Sequence, residues 1–273
     1  MLPRCRSWAW RVKTDHVRQC PAWAPPLLAI QFLTRVPVPA VAQLSEDAVR
    51  VGLGRAVAWF PLVGALVGAV TAGTMLLADQ WWPRVIAVLV ALIVEARLTG
   101  AFHEDAVADF CDGVGGGRDP EHTRQIMKDS RIGSYGALGL MLAVGLRAGL
   151  MVSLDSTIDA VFAIVAAATA GRLIAVIAMF PMPAVAGASG LGSAATASVR
   201  PRDLVLAVIT SLPGLLPFAV TAPIELLGAS IAIVAFLVWF RALIVRRVGG
   251  STGDCLGFAV YVGQLLVLMA AAT

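Results

Sequence analysis

The stretch "AVAWFPLVGALVGAVTAGTMLLA", Ala56 to Ala78, carries no charged side chain. About 20 mostly apolar residues in helical form cross the hydrocarbon layer of a bilayer, so the stretch predicts a membrane-spanning helix. By the same measure Trp82–Phe102, Tyr135–Leu154, Ala160–Phe180, Leu204–Val220, Ile224–Val245 and Phe258–Ala272 are further spans, which makes about seven. Pro213 and Pro217 interrupt the fifth and the seventh is short, so either is open to kinking or to partial, re-entrant insertion. The mean hydropathy is +0.83 and 14% of residues are charged, against about 25% in ordinary globular domains. The expected fold class is therefore all-α: a polytopic integral membrane bundle, because every backbone polar group in lipid must be satisfied internally.

Outward from the first span, residues 1–25 hold Arg4, Arg6, Arg11, Lys13 and Arg18 among Trp8, Trp10 and Trp23, with no apolar core and small-residue cleavage site. They are expected to form a cytoplasmic or interfacial extension. The run "PPLLAIQFLTRVPVP", Pro25–Pro39, is too short to span and reads as an interfacial or re-entrant piece. Residues 26–273 show no internal repeat and no polar linker, and are expected to form a single membrane domain. The four cysteines have no metal-ligand spacing, which argues against a zinc site or a disulfide framework.

The net charge of +4 does not mark a nucleic-acid binder, since the basic residues sit at the ends of apolar segments rather than in one aromatic-studded patch. Membrane topology accounts for them better. With a basic N-terminus inside, the loops assigned inside hold Arg118, Arg124, Lys128, Arg131, Arg200, Arg202, Arg246 and Arg247, and those assigned outside hold only Arg84. This predicts that the acidic stretch "AFHEDAVADFCDGVGGGRDP", Ala101–Pro120, and the loop "RRVGGSTGDCLG", Arg246–Gly257, share the cytoplasmic side.

Within the acidic stretch, Asp105, Asp109 and Asp112 are spaced by four and three residues, which puts three carboxylates on one helical face. A hard cation such as Mg²⁺ would offset their repulsion, taking one or two carboxylates and completing its shell with water and phosphate oxygens. Gly113 and Gly115 to Gly117 are expected to end that helix and free backbone N–H groups for an anion. Arg124, Lys128 and Arg131 follow at spacings that form one basic helical face, beside Asp129. Carboxylates for metal together with Arg and Lys for transition-state charge are what phosphoryl transfer uses. Solvated loop acids and a lipid-anchoring basic face are the plain alternatives; the shared face, the adjacent span and the glycine turn favour a site. His103 reads as a ligand, a general base or an interfacial hydrogen-bonding residue. Among charges inside spans, Arg97 and Arg172 are expected to snorkel outward, and Arg147 to find Glu95.

These residues resemble the cobalamin synthase family, the adenosylcobinamide-GDP ribazoletransferases. The resemblance rests on "QFLTRVPVP", "WFPLVGALVGA", "TGAFHEDAVADFCDGVGGG", "IMKDSRIGSYGALGL" and "GGSTGDCLG", in order from about Leu27 to the C-terminus. It implies a multi-pass enzyme of the cell (inner) membrane with cytoplasmic active-site loops. In it the hydroxyl of α-ribazole, or of its 5′-phosphate, attacks the cobinamide-bound phosphate of adenosylcobinamide-GDP, and GMP leaves with Mg²⁺ assisting. The implied residues are His103, Asp105, Asp109 and Asp112, then Lys128, Asp129, Ser130 and Arg131, then Thr252, Gly253 and Asp254, with the three aspartates of the first motif as metal ligands. Gly115 and Gly116 join the substrate-binding set, no nucleic acid is implied, and a homo-oligomer is left open. The family pattern reads like "GGxHLDGLADTxDG", whereas Ala101, Glu104, Ala106 and Phe110 stand here for Gly, Leu, Gly and a small or polar residue. Glu104 is expected to be a solvated bystander. The competing readings are a phospholipid-type (CDP-alcohol) phosphotransferase, whose Ala-Arg pair after the first Asp-Gly is missing from "DGVGGGR", and a divalent cation transporter, which would place carboxylates mid-span.

Overall fold

The computed structural model describes residues 20–154, 157–180 and 200–273, which are helical with no β-strand among them. Residues 1–19 of the expected extension lie outside the described residues, but Cys20 is already buried against the Gly52 position. Helix α1 (Ala24–Leu33) opens with Pro25 and Pro26 in its first turn, where a missing N–H costs nothing, and buries Leu28, Ala29 and Leu33. A short 3₁₀ turn, Pro39–Gln43, leads to α2 (Glu46–Ala56). Ser45 caps α2 by accepting from the Ala48 N–H at 3.3 Å, with Glu46 and Asp47 in the first turn, where the helix dipole favours acids.

Helix α2 runs through one 3₁₀ turn into α3 (Phe60–Ala78), giving a 33-residue helical stretch. Next come α4 (Arg84–Thr99), α5 (Phe102–Gly116), α6 (Pro120–Met127), α7 (Ser134–Ser153), α8 (Thr157–Met179), α9 (Pro201–Thr221), α10 (Pro223–Arg247) and α11 (Gly253–Ala271). Among the described residues six stretches are long and apolar enough to cross a bilayer: α2–α3, α7, α8, α9, α10 and α11. The pair α4–α5 makes a seventh only as one broken unit bent by 88°. The molecule is thus a multi-pass helical membrane protein.

Two expectations change here. The predicted span Trp82–Phe102 stops at Gly100, because Gly100 and Ala101 both turn left-handed, at φ +74° and +57°. The chain then starts a new helix across the direction of the old one. Pro213 and Pro217 do not divide the fifth span, which continues as α9 from Pro201 to Thr221.

Helices α8 and α11 form the centre, with 72% and 56% of their apolar windows buried. Small residues permit this. A Cβ on Gly64 of α3 would lie 2.5 Å from the Ala168 carbonyl oxygen of α8, and one on Gly171 of α8 would lie 2.6 Å from the Val260 carbonyl of α11. At the periphery, α7 and α10 bury only 17% of theirs and turn Leu138, Met141, Leu142, Ile224, Leu227 and Val238 outward, the surface that lipid requires.

Candidate active site

The bend at Gly100–Ala101 carries α5 across the end of the bundle, against α7 on one side and α11 on the other. The acidic stretch is helical, as its spacing predicts, and it lies beside the Arg246–Gly257 loop. Arg247 Nη2 donates to the Val114 carbonyl of α5 at 2.6 Å and to that of Gly117 at 3.1 Å, and Arg124 of α6 donates to the Val248 carbonyl. These bonds fix one rim of the bundle end.

Two cavities share Asp105 of α5 in their walls. The first, about 320 Å³, is the more enclosed of the two and mostly apolar, with walls from α1, α3, α5, α8 and α11. Phe32 and Phe60 stack at 5.6 Å and Phe102 meets Phe32 edge-on at 5.7 Å. The polar members of its lining are His103, Asp105, Arg172 and Asp254. The second, about 560 Å³, is a more open cleft of mixed polarity, with Arg35, Asp105, Asp109, Lys128, Ser130 and Arg131 among its borders.

The predicted residues divide into three groups. His103 is buried in the wall of the enclosed cavity and meets the Phe102 ring edge-on at 5.4 Å, while Gly253 and Asp254 face the same cavity from the first turn of α11. Asp109, Lys128, Asp129, Ser130 and Arg131 border the cleft, and Asp105 borders both. Asp109 feels the charges of Asp105, Asp254 and Asp112, so four carboxylates share one region.

The remaining residues have local tasks. Asp112 fastens α7: its carboxylate accepts from the Gly133 N–H at 2.6 Å and the Gly136 N–H at 2.7 Å. A carboxylate at a helix N-terminus is well placed for this. Thr252 caps α11 by accepting from the Cys255 N–H at 3.3 Å. Gly113, Gly115 and Gly116 do not end the helix but lie within it, and α5 closes only at Gly117. A Cβ on Gly113 would strike Met127, and one on Gly115 the Tyr135 ring, so these glycines let α6 and α7 approach α5. The expected anion loop is a packing surface.

The basic face also breaks. Helix α6 ends at Met127, Lys128 caps it, and Arg131 sits in the loop beyond. There Arg131 Nη2 pairs with Asp129 at 2.6 Å, and that guanidinium pulls the Asp129 carboxyl down to about 2.

Three residues have roles that spacing alone did not assign. Arg172 does not snorkel; it is 1% exposed and lines the enclosed cavity. Its position amid small apolar residues in the fourth span was the available signal, since burial of so large a cation needs a cause. Glu104 is not a bystander: it borders the cleft with only 18% of its side chain exposed. Its Oε1 lies 3.9 Å from Arg147 Nη1, and Arg147 Nη2 donates to Glu95 at 2.7 Å, as expected for that pair. Arg35 crosses the bend: its N–H donates to the Leu98 carbonyl at 2.7 Å and its guanidinium lies where a side chain on Gly100 would stand.

Oxygen-only donors suit a hard cation. Among the described residues no three His, Cys, Asp or Glu side chains converge on one point, so the protein does not close a metal cage by itself. Asp105 and Asp109 have no protein counter-ion among the described residues and face the cleft. A pair of carboxylates with the remaining positions left to water and phosphate fits Mg²⁺.

Comparison with known proteins gives one consistent result. The sequence pattern of the family described as cobalamin-5-phosphate synthase matches residues 25–272. A protein of Ralstonia pickettii named adenosylcobinamide-GDP ribazoletransferase is 38% identical, over 90% of this chain and 94% of its own length. Proteins of the same name from Ralstonia nicotianae and Vibrio cholerae are 39% and 35% identical, over 88% and 89% of this chain and 92% and 91% of their own. No solved structure matches.

Proposed function

Since the chain belongs to the cobalamin-5-phosphate synthase family, we propose that it moves the adenosylcobinamide-phosphate unit from adenosylcobinamide-GDP to α-ribazole or its 5′-phosphate. The acceptor hydroxyl oxygen forms a new bond to the phosphorus attached to cobinamide, the bond from that phosphorus to the GMP oxygen breaks, and GMP leaves. The hydroxyl proton passes to a base on the enzyme. The observation that carries this reading is Asp105, which walls both a cavity lined by aromatic rings and a cleft lined by carboxylates and by Lys128 and Arg131.

The residues act as follows. Lys128, at the end of α6, and Arg131, in the loop after it, offer charge to the phosphates. The Asp129 ion pair holds the Arg131 guanidinium in one orientation. Asp105 and Asp109 would hold Mg²⁺, with Asp254 alongside Asp105 in the cavity wall. When bound, the ion neutralises charge on the phosphate oxygens and orients the diphosphate. Asp112 keeps α7, and with it the 128–133 loop, against α5. His103 borders the cavity that Asp105 and Asp254 also line, and is the candidate for taking the acceptor proton. The Arg and Lys distribution supports placing this end of the bundle on the cytoplasmic side of the cell membrane.

The test is direct. Full-length protein in liposomes, given adenosylcobinamide-GDP, α-ribazole and Mg²⁺, is expected to form a cobalamin and GMP in equal amounts. Divalent-metal uptake into the liposomes without GMP release would favour the transporter reading instead.

A further inference from the structure

Helix α10 faces lipid along most of its length, with only 17% of its apolar window buried. Ile231, Ala235, Trp239 and Ala242 are exposed, and their spacings of four, four and three place them within about 80° of one face, which Arg246 joins four residues later. A lipid-facing stripe therefore ends on an arginine. Arg247 follows it as the last residue of the helix.

Beside that pair lies a further cavity of about 240 Å³, between the end of α10 and the start of α6. Arg118, Arg246 and Arg247 line it together with Asp119, Pro120 and Thr123. Among the described residues no carboxylate lies within ion-pairing distance of any of the three arginines. The acid in the lining is committed elsewhere, since Asp119 Oδ1 accepts from the Glu121 N–H at 3.0 Å and the His122 N–H at 2.9 Å as the cap of α6. Three cations thus share one pocket with one capping acid. An anion there would relieve their mutual repulsion, and guanidinium forks match phosphate oxygens.

The position of the pocket selects the kind of phosphate. The Arg and Lys distribution places this end of the bundle at a cytoplasmic membrane surface, which puts the three arginines at head-group depth and the stripe ending in Trp239 and Ala242 among acyl chains. A soluble nucleotide would use the cations and leave the stripe without a role, whereas a phospholipid uses both. A zwitterionic head group would add its own ammonium to three guanidinium groups, so an anionic one fits better.

We propose that this cavity binds the phosphate of an anionic phospholipid of the phosphatidylglycerol type, whose acyl chains lie along the Trp239–Ala242 face of α10. Through its bonds to the Val114 and Gly117 carbonyls, Arg247 joins the site to the last turn of α5, so an occupied site braces the helix that carries Asp105 and Asp109. The claim goes beyond the transferase reading and does not depend on it.

Full-length protein, delipidated in detergent, is titrated with dioctanoyl phosphatidylglycerol and with dioctanoyl phosphatidylcholine, and bound lipid is counted by native mass spectrometry. The unaltered chain is expected to take up one phosphatidylglycerol at least tenfold more tightly than phosphatidylcholine. Arg118→Gln combined with Arg246→Gln should weaken that site at least tenfold, and Arg118→Lys with Arg246→Lys should retain part of the affinity. Both arginines are exposed, so the fold does not rest on them. Arg202→Gln, which changes another exposed arginine assigned to the same side, should leave the site within threefold of the unaltered chain. Inorganic phosphate and GMP, added at the lipid concentration, should not displace the lipid. Equal affinity for the two lipids in the unaltered chain, an unaltered site in the double Gln variant, an equal loss in Arg202→Gln, or displacement by phosphate or GMP would overturn the proposal. No substrate enters this measurement, so failure of the transferase reading is a separate result, namely no GMP from the unaltered chain with both substrates and Mg²⁺ present.

Discussion

Ala101 holds φ +57° at the start of α5, in a region where a Cβ crowds the following carbonyl at a cost of about 1–2 kcal/mol. Glycine there removes the crowding but restores unfolded-chain freedom worth about 0.5–1 kcal/mol. Ala101→Gly should therefore stabilise the protein by roughly 0.5–1 kcal/mol, seen as a higher thermal unfolding midpoint in detergent. Asp112 gives the opposite sign. Two backbone N–H groups at the start of α7 depend on its carboxylate, and leaving such donors unpaired costs about 1–3 kcal/mol each. Asp112→Ala should lower the midpoint well below that of Asp109→Ala; equal midpoints would count against its fastening role. Spacing made Asp105, Asp109 and Asp112 equivalent, because a helical face says which side chains point together and not what stands opposite. What stands opposite Asp112 is the 133–136 backbone, contributed by a different element.

Between elements, α5 and α11 touch through Ala106 and Gly257, where a Cβ on Gly257 would collide with the Ala106 methyl. Gly257→Ala should disturb this contact and reduce both stability and activity, and adding Ala106→Gly should recover much of the loss. A coupling of about 0.5–3 kcal/mol is typical of residues in contact, and a double-mutant cycle on unfolding midpoints measures it. Additive effects would show that the two positions do not meet. Most helices were legible in the sequence from apolar length, and the acidic helix from the spacing of its aspartates. The bend was not. Trp82–Phe102 is a mostly apolar run in sequence, near whose end only Gly100 marks a turn, and Ala101 is a residue that ordinarily avoids a left-handed turn. The end of α5 was misplaced for the reverse reason, since Gly113 to Gly116 resemble a loop but serve close helix packing.

Across the whole molecule, α8 and α11 form a small-residue centre, and the charged groups Glu95, Arg147, Glu104 and Arg172 lie between it and α4, α5 and α7. Removing one member of a buried ion pair costs about 3–5 kcal/mol because the other is left uncompensated. Glu95→Gln should accordingly impair folding, measured as the yield of monodisperse protein, and Glu95→Gln with Arg147→Met should recover most of that yield. The pair was legible as two charges in neighbouring spans. Arg172 was visible as a charge, but its burial depends on the packing of α3, α8 and α11, which no single segment encodes.

The central claim is that Asp105 and Asp109 hold Mg²⁺ in the cleft, whose wall shares Asp105 with the more enclosed cavity. Its most direct measurement is the initial rate of GMP release against free Mg²⁺, for the unaltered protein and for Asp105→Asn and Asp109→Asn in nanodiscs at saturating substrates. The account predicts no release in excess EDTA, and in each variant a half-saturating Mg²⁺ concentration raised at least tenfold or a maximal rate lowered at least a hundredfold. Mg²⁺ dependence and maximal rate matching the unaltered protein in both variants would contradict it.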